Sequence, residues 1–259
     1  MEFTRSQSRR RFLSSTLTGV IGGAGALALS ACSAATGDNT AQPATSAPPA
    51  PTATAPAPGA ALRPLAANGD DALKLLIDGN QRFADDRAQH VDDSLDRRLA
   101  VRGAQKPFAT IISCVDSRVP VELLFDRGIG DLVVIRSAGE VLDRSVIGSL
   151  EFGVAELNTP LLMVLGHQRC GALTAAVKAF DTKSPGEDDL GFLANALEPA
   201  VRQATGQPGD RVTNAVRANV ALTLGQLRQS PLLGPLEQQG KVKMVGGYYS
   251  LDTGKVDVI

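Results

Sequence analysis

The apolar positions of the chain fall into helical and strand-like patterns that alternate. Over residues 71–86, Leu73, Leu76, Ile77 and Phe83 recur at helical spacing, which predicts an amphipathic helix, and the charged stretch 92–102 reads as a second. Three short apolar runs of strand type follow, at 108–113, 131–135 and 161–165. Each leads through polar or glycine punctuation into a helical stretch, at 119–125, 144–157 and 171–180, and this alternation predicts βαβ units and a parallel sheet. Leu161-Leu162-Met163-Val164-Leu165 is apolar at every position, as suits a strand covered on both faces. Helices over 190–204 and 210–229 come next. Strands at 242–249 and 255–259 then flank the turn Leu251-Asp252-Thr253-Gly254. The expected fold is therefore α/β: a central, mostly parallel sheet flanked by helices, with an antiparallel edge hairpin at the C-terminus.

The first residues belong to a different pattern. Ser8-Arg9-Arg10-Arg11-Phe12-Leu13 follows the twin-arginine export signature and opens a modestly apolar segment to Leu29. Gly19, Gly22, Gly23 and Gly25 dilute that segment, which speaks against a membrane span. Leu29-Ser30-Ala31-Cys32 resembles the lipobox of bacterial lipoproteins, in which the cysteine is lipidated and becomes the new N-terminus. The order of arginine pair, apolar run and lipobox favours this over a cysteine that merely follows an ordinary signal. Residues 1–31 thus read as a twin-arginine lipoprotein signal peptide. Residues 32–65, from lipidated Cys32, read as a Pro/Ala/Thr-rich linker that carries seven of the fifteen prolines. Such a segment cannot bury enough apolar surface to offset its ordering entropy, and fully extended it would reach about 100 Å at roughly 3 Å per residue. The domain 66–259 is long enough for one well-buried core. The expected location is exported, on the periplasmic or extracytoplasmic face of a membrane, held by the N-terminal lipid.

Loss of residues 1–31 removes Glu2 and the four arginines Arg5, Arg9, Arg10 and Arg11, so the formal charge moves from −1 to −4. That mild acidity argues against nucleic acid as a partner.

Chemistry concentrates at two predicted strand ends. Cys114 follows the first strand, and His167 and Cys170 follow the third; apart from the lipidated Cys32, these are the only cysteines of the mature chain and one of its two histidines. In open parallel sheets, ligands collect beyond the carboxyl ends of the strands. Two thiolates and an imidazole suit a zinc ion with a fourth position left for water or substrate. An exported chain with two cysteines would ordinarily pair them, so a Cys114–Cys170 disulfide is the alternative. Asp116 and Arg118 could form a common surface ion pair, although two positions apart on an extended strand end they point to the same side as Cys114. His90 lies in a charged segment and reads as solvated surface.

Cys114-x-Asp116-Ser117-Arg118 followed by Gly166-His167-x-x-Cys170-Gly171 resembles the β-class carbonic anhydrases. Similarity extends through Gly79-Asn80-x-Arg82-Phe83, through Gly130-Asp131-Leu132-x-x-x-Arg136-x-Ala138-Gly139, and to Asn219-Val220, Leu227 and Thr253-Gly254. The resemblance implies one Zn2+ per subunit, held by Cys114, His167 and Cys170. It implies reversible hydration of CO2 to bicarbonate and a proton by zinc-bound hydroxide, since zinc brings the pKa of its water to about 7. Asp116 would accept the hydroxide's hydrogen bond and Arg118 would hold Asp116 ionised. In some family members the aspartate itself becomes the fourth metal ligand in a closed form. Val119, Phe152 and Gly171 are the expected substrate-pocket residues, and a homodimer or higher oligomer is the expected assembly.

The same scaffold could instead serve another small heterocumulene, CS2 or COS. A chain without catalysis, a zinc-binding or disulfide-stapled lipoprotein, is the rival from another class. The sequence departs from family patterns at Ile111, where gated bacterial members have a tryptophan, at Phe152, where plant members have a tyrosine, and at Glu140, where asparagine is usual. The tryptophan-based bicarbonate effector pocket is therefore not expected here, and Glu140 reads as structural.

Overall fold

A computed structural model of the chain describes residues 66–90, 93–184 and 186–259. The signal and linker segments, Cys32 included, lie outside the described residues. The elements run α1 (Gly69–Ala84), α2 (Leu95–Val101), β1 (Ala109–Ser113), α3 (Val121–Leu124), β2 (Leu132–Arg136), α4 (Arg144–Glu151), β3 (Leu161–His167), α5 (Gly171–Thr182), α6 (Asp189–Ala204), α7 (Arg211–Arg228), α8 (Leu233–Gln238), β4 (Lys243–Tyr249) and β5 (Val256–Val258). A 3-10 turn at Ala138–Glu140 follows β2, and a π-helical turn at Phe152–Glu156 continues α4.

The five strands order as β2-β1-β3-β4-β5. The first four are parallel and β5 runs antiparallel to β4, as the sequence predicts. The hairpin closes the sheet with β5 alone at its edge, because β4 pairs with β3 along all seven residues of both strands.

Side-chain alternation divides the interior. From β1 and β3, Ile111, Leu161, Met163 and Leu165 pack with Leu76, Val119, Leu124 and Phe125 beneath α1 and α3. Their neighbours Ile112, Leu162 and Val164 pack on the other face with Leu150, Val220, Leu224 and Leu227 from α4 and α7. Each such side chain, fully buried, contributes about 1.5–3 kcal/mol, which makes these two strands the fixed frame of the molecule. α7 lies close against β3 because Gly166 has no side chain; a Cβ there would come within 2.7 Å of Val216 Cγ1 and 2.8 Å of Val220 Cγ2.

Helix starts follow the capping rules. Asn68, Ser94, Asp143, Asp188 and Asp210 each accept a backbone N–H from the first turn of α1, α2, α4, α6 and α7. The buried Asn80 ties α1 to the far end of the chain, donating to Leu124 O at 3.1 Å and Gly254 O at 2.8 Å and accepting from Val256 N–H at 2.8 Å. This explains the Gly79-Asn80 signature as a brace for the hairpin.

Candidate metal centre

The sheet register places the site. Ser113, the last residue of β1, sits opposite Arg136 of β2 on one side and Leu165 of β3 on the other. The chain leaving β1 therefore emerges beside the end of β3, whose final residue is His167. The ladder continues one step further, where Gln168 N–H donates to Tyr249 O at 2.8 Å, and the chain then turns through Arg169 to Cys170, which caps α5. Cys114 is buried, and His167 and Cys170 are fully so. The two sulfurs and an imidazole nitrogen lie within 4.8 Å of one another.

Both cysteines are free thiols, with their Sγ atoms 3.9 Å apart. Two thiolates bound at about 2.3 Å to a tetrahedral ion would stand about 3.8 Å apart, so the observed spacing suits shared ligation. His167 Nδ1 lies 3.0 Å from Gln168 O, a contact that assigns its proton to Nδ1 and leaves Nε2 with a bare lone pair. That Nε2 is buried and has no hydrogen-bond partner. A buried lone pair without a donor is costly, and a cation between it and the two sulfurs removes that cost. The donor set thus fits a soft or borderline divalent metal.

Electrostatics prepare the sulfurs. The Cys170 thiol beside it pushes Cys114 down to about 4 against the opposing effect of burial, with the His167 side chain and then the Gly139 N–H at 3.4 Å adding to the downward push. Cys170 is pushed up in turn, by its bond to Cys114 and then by burial. Of the two, Cys114 gives up its proton the more readily, and a metal held between them would require both as thiolates.

Asp116 stands over the same space, its Oδ2 4.0 Å from His167 Nε2. It is engaged by Arg118 through three bonds: Nε to Oδ1 at 2.9 Å, Nη2 to Oδ2 at 2.7 Å and the backbone N–H to Oδ1 at 2.9 Å. The Arg118 side chain holds the carboxyl well below the usual carboxylate range. Asp116 is thus committed to the guanidinium rather than gathered into the Cys-His-Cys cluster. Arg118 also reaches Arg169 O at 3.4 Å, which links the two strand ends.

A cavity of about 390 Å³ lies elsewhere, between α5 and α6, whereas the one beside the cluster measures about 340 Å³. Cys114, Asp116, Ala138, Gly171, Leu190 and Leu193 line the latter, so its wall is apolar apart from the Asp116 side. Of the three expected pocket residues, Gly171 lines this cavity. Val119 is fully buried in the core beneath α3, and Phe152 is half-exposed beside Val133, Val134 and Ile135 of β2. His90 is exposed, its N–H given to Asp126 at 2.9 Å.

Two contributors carry no assigned role in the sequence reading. Arg136 donates to Cys114 O at 2.8 Å and to Asp116 O at 2.5 Å, fixing the backbone on both sides of Val115. Gly139 donates to the Cys114 sulfur from a left-handed conformation, φ 62°, and a Cβ there would meet Leu197 Cδ1 at 2.9 Å. The available signal was their place in one motif at the end of β2, the strand in register with β1. Glu140 is fully buried at φ 54°; its Oε2 accepts from Asn219 Nδ2 at 3.2 Å, and its Oε1 has no partner. Burial pushes this carboxyl well up, and the charge on Cys114 adds to the effect.

Two thiols and an imidazole on the carboxyl rim of a parallel sheet, beside a small apolar cavity, place the protein in the class whose strand-end cluster could hold a single metal ion. Comparison with known proteins gives that class a family. The family model described as "Carbonic anhydrase" matches residues 109–256. Carbonic anhydrase 2 of Mycobacterium tuberculosis is 39% identical over 189 residues, covering 71% of this chain and 89% of that protein. The carbonic anhydrase of Mycolicibacterium smegmatis is 37% identical over 191 residues, covering 72% and 91%. Among solved structures, the β-carbonic anhydrase CcaA covers 72% of this chain and 94% of its own at a TM-score of 0.58 and 24% identity. A tetrameric β-carbonic anhydrase of Sordaria macrospora covers 73% and 97% at 0.56 and 20%; at these identities the two share the fold. The chain belongs to the carbonic anhydrase family.

Proposed function

We propose that the protein is a zinc carbonic anhydrase, with Zn2+ held by Cys114, His167 and Cys170, one ion per subunit. The observation that carries the metal is the buried, unpartnered His167 Nε2 facing two thiols whose spacing suits a tetrahedral ion. Bound there, zinc supplies Lewis acidity, which lowers the pKa of a coordinated water to about 7. The remaining work belongs to this chain. Asp116, kept ionised and oriented by Arg118, offers an acceptor on the cavity side of the centre. It can hold a donor O–H so that the oxygen's lone pair faces the cavity. The apolar wall beside Gly171, Leu190 and Leu193 admits an uncharged, linear molecule and gives little foothold to water. Bicarbonate, charged and bulkier, is favoured to leave.

Stopped-flow CO2 hydration tests this reading directly. Turnover that rises from about pH 7 to 9 is expected, as for a water ionising near neutrality. No hydration across that range would sink the assignment, and turnover of CS2 or COS in its place would move it to another heterocumulene.

The protein is further proposed to be exported through its twin-arginine signal, anchored by lipidated Cys32, and assembled as a homodimer or larger oligomer. The sequence 29–32 supports the anchor. The assembly is supported by β2, an edge strand whose partly exposed residues lie beside the half-exposed Phe152. Mass spectrometry of the protein extracted from membranes reads both. A diacylated Cys32 as first residue and a multiple of the protomer mass are expected; an unmodified N-terminus upstream of Cys32, or a monomer mass, would refute the respective claim.

A further inference from the structure

One buried polar group near the centre touches no ligand directly, yet sits where it controls one. Asn219 is a polar residue in the apolar face of α7, 6% exposed, between Val216 and Val220 of the core. Its Nδ2 donates to two acceptors, Gly139 O at 2.8 Å and Glu140 Oε2 at 3.2 Å. Gly139 in turn donates its N–H to Cys114 Sγ.

The intervening backbone explains why such a clamp matters. Glycine is the residue least able to hold its own dihedrals, and Gly139 sits at φ 62° and ψ 31° between the peptide that carries the N–H and the peptide that carries the clamped carbonyl. Fixing the second peptide fixes the direction of the first. The other end of the turn is already tied, because Ser137 N–H donates to Ser113 O at 3.1 Å. Glu140 adds to the puzzle. A side chain other than glycine at φ 54° is strained, and a fully buried carboxyl with one unpartnered oxygen is costly. Both costs sit on the residue that gives Asn219 its second acceptor.

We propose that Asn219, with Glu140 as its second acceptor, is a positioning residue for the metal centre: it holds the Gly139 N–H on the Cys114 sulfur. The inference rests on Cys114 being a metal ligand. A hydrogen bond to an ionised acceptor is roughly twice as strong as a neutral one. Donated to a ligand sulfur, it lowers the energy of the sulfur lone pairs and sets the direction in which they face the metal. Outer partners of this kind typically cost about 10–100-fold in metal affinity when removed.

Cobalt(II) added to the metal-free protein is the probe, read by competition with a chromophoric chelator and by the sulfur-to-cobalt charge-transfer band. Asn219→Leu keeps the branched side-chain skeleton and the helix while deleting both donors. It is expected to weaken cobalt binding about 10–100-fold and to move the charge-transfer band to longer wavelength, because the sulfur lone pairs lose their donor. Glu140→Gln retains an oxygen acceptor for Asn219 and is expected to behave like wild type in both readouts. A folded Asn219→Leu protein with native affinity and an unmoved band overturns the proposal. Should that variant not fold, Glu140→Ala decides: a smaller shift in the same direction supports the clamp, and no shift overturns it. Cys114→Ser in the same assay separates this from the reading beneath it. If that variant keeps both the affinity and the charge-transfer intensity of wild type, Cys114 is not a ligand and the clamp falls with it.

Discussion

Replacing Cys114 by serine is expected to leave a folded protein that no longer retains metal through gel filtration and has no measurable CO2 hydration. The serine hydroxyl stays protonated where the thiol at this position is pushed down to about 4, so an anionic ligand becomes a neutral one. Apparent zinc-binding energies of about 10–16 kcal/mol, divided among three or four ligands, put each at about 2.5–5 kcal/mol, or roughly 10²–10⁴-fold in affinity. The fold should tolerate the change, since serine is smaller and Cys114 lies at the end of β1 rather than within it. Metal bound to the native state alone also stabilises it. A chelator should therefore lower the melting temperature of wild type and leave that of Cys114→Ser unmoved. A serine variant that keeps one metal per chain and wild-type turnover would remove Cys114 from the site.

The expectation for Cys114 was available from sequence because a cysteine after a strand-like apolar run announces both its place and its chemistry. The βαβ alternation, the parallel sheet and the closing hairpin were legible for a similar reason: burial on two faces writes itself as apolar residues. What lay hidden was polar or short. The apolar pattern ends β3 at Leu165, whereas the strand runs to His167 because Gly166 and His167 pair with Tyr248 and Tyr249. Hydropathy cannot register a histidine that is buried for its lone pair. The sequence predicts one helix over 144–157, but it changes to a π-helical turn at Phe152, which leaves that ring half-exposed beside β2. α8 contains Gly234 and Pro235 in six residues and has no helical signature; Ser230 Oγ supports its start by accepting from the N–H groups of Leu232 and Leu233, both at 3.1 Å. Apolar residues also carry no address: Val119 and Gly171 lie near the same motifs, yet one packs beneath α3 and the other lines the cavity.

Asp116→Ala is expected to lower kcat/KM for CO2 hydration by about 10²–10⁴, the range of a lost proton-handling group, while metal content stays at one per chain. The second half of that statement discriminates between roles. Asp116 makes its bonds to Arg118, and its Oδ2 is 4.0 Å from His167 Nε2, an arrangement in which the carboxylate would act on what a bound metal holds rather than on the metal. Its native pKa lies below the unfolded value of about 3.9. The stabilisation from this pair is therefore complete above about pH 4 and is lost only as the pH falls through the lower native value. Protonation of Asp116 in this arrangement cannot then shape the activity profile near neutrality, and the loss in Asp116→Ala should be uniform from about pH 7 to 9. Arg118→Ala should fall less, by about 10–100-fold as for an outer partner, because the half-exposed guanidinium leaves a place that water can fill. A variant that keeps activity within about threefold of wild type would deny Asp116 its role in proton handling. If metal affinity falls together with activity, the aspartate belongs among the ligands, and the fork with Arg118 is only one of two states in which it is held.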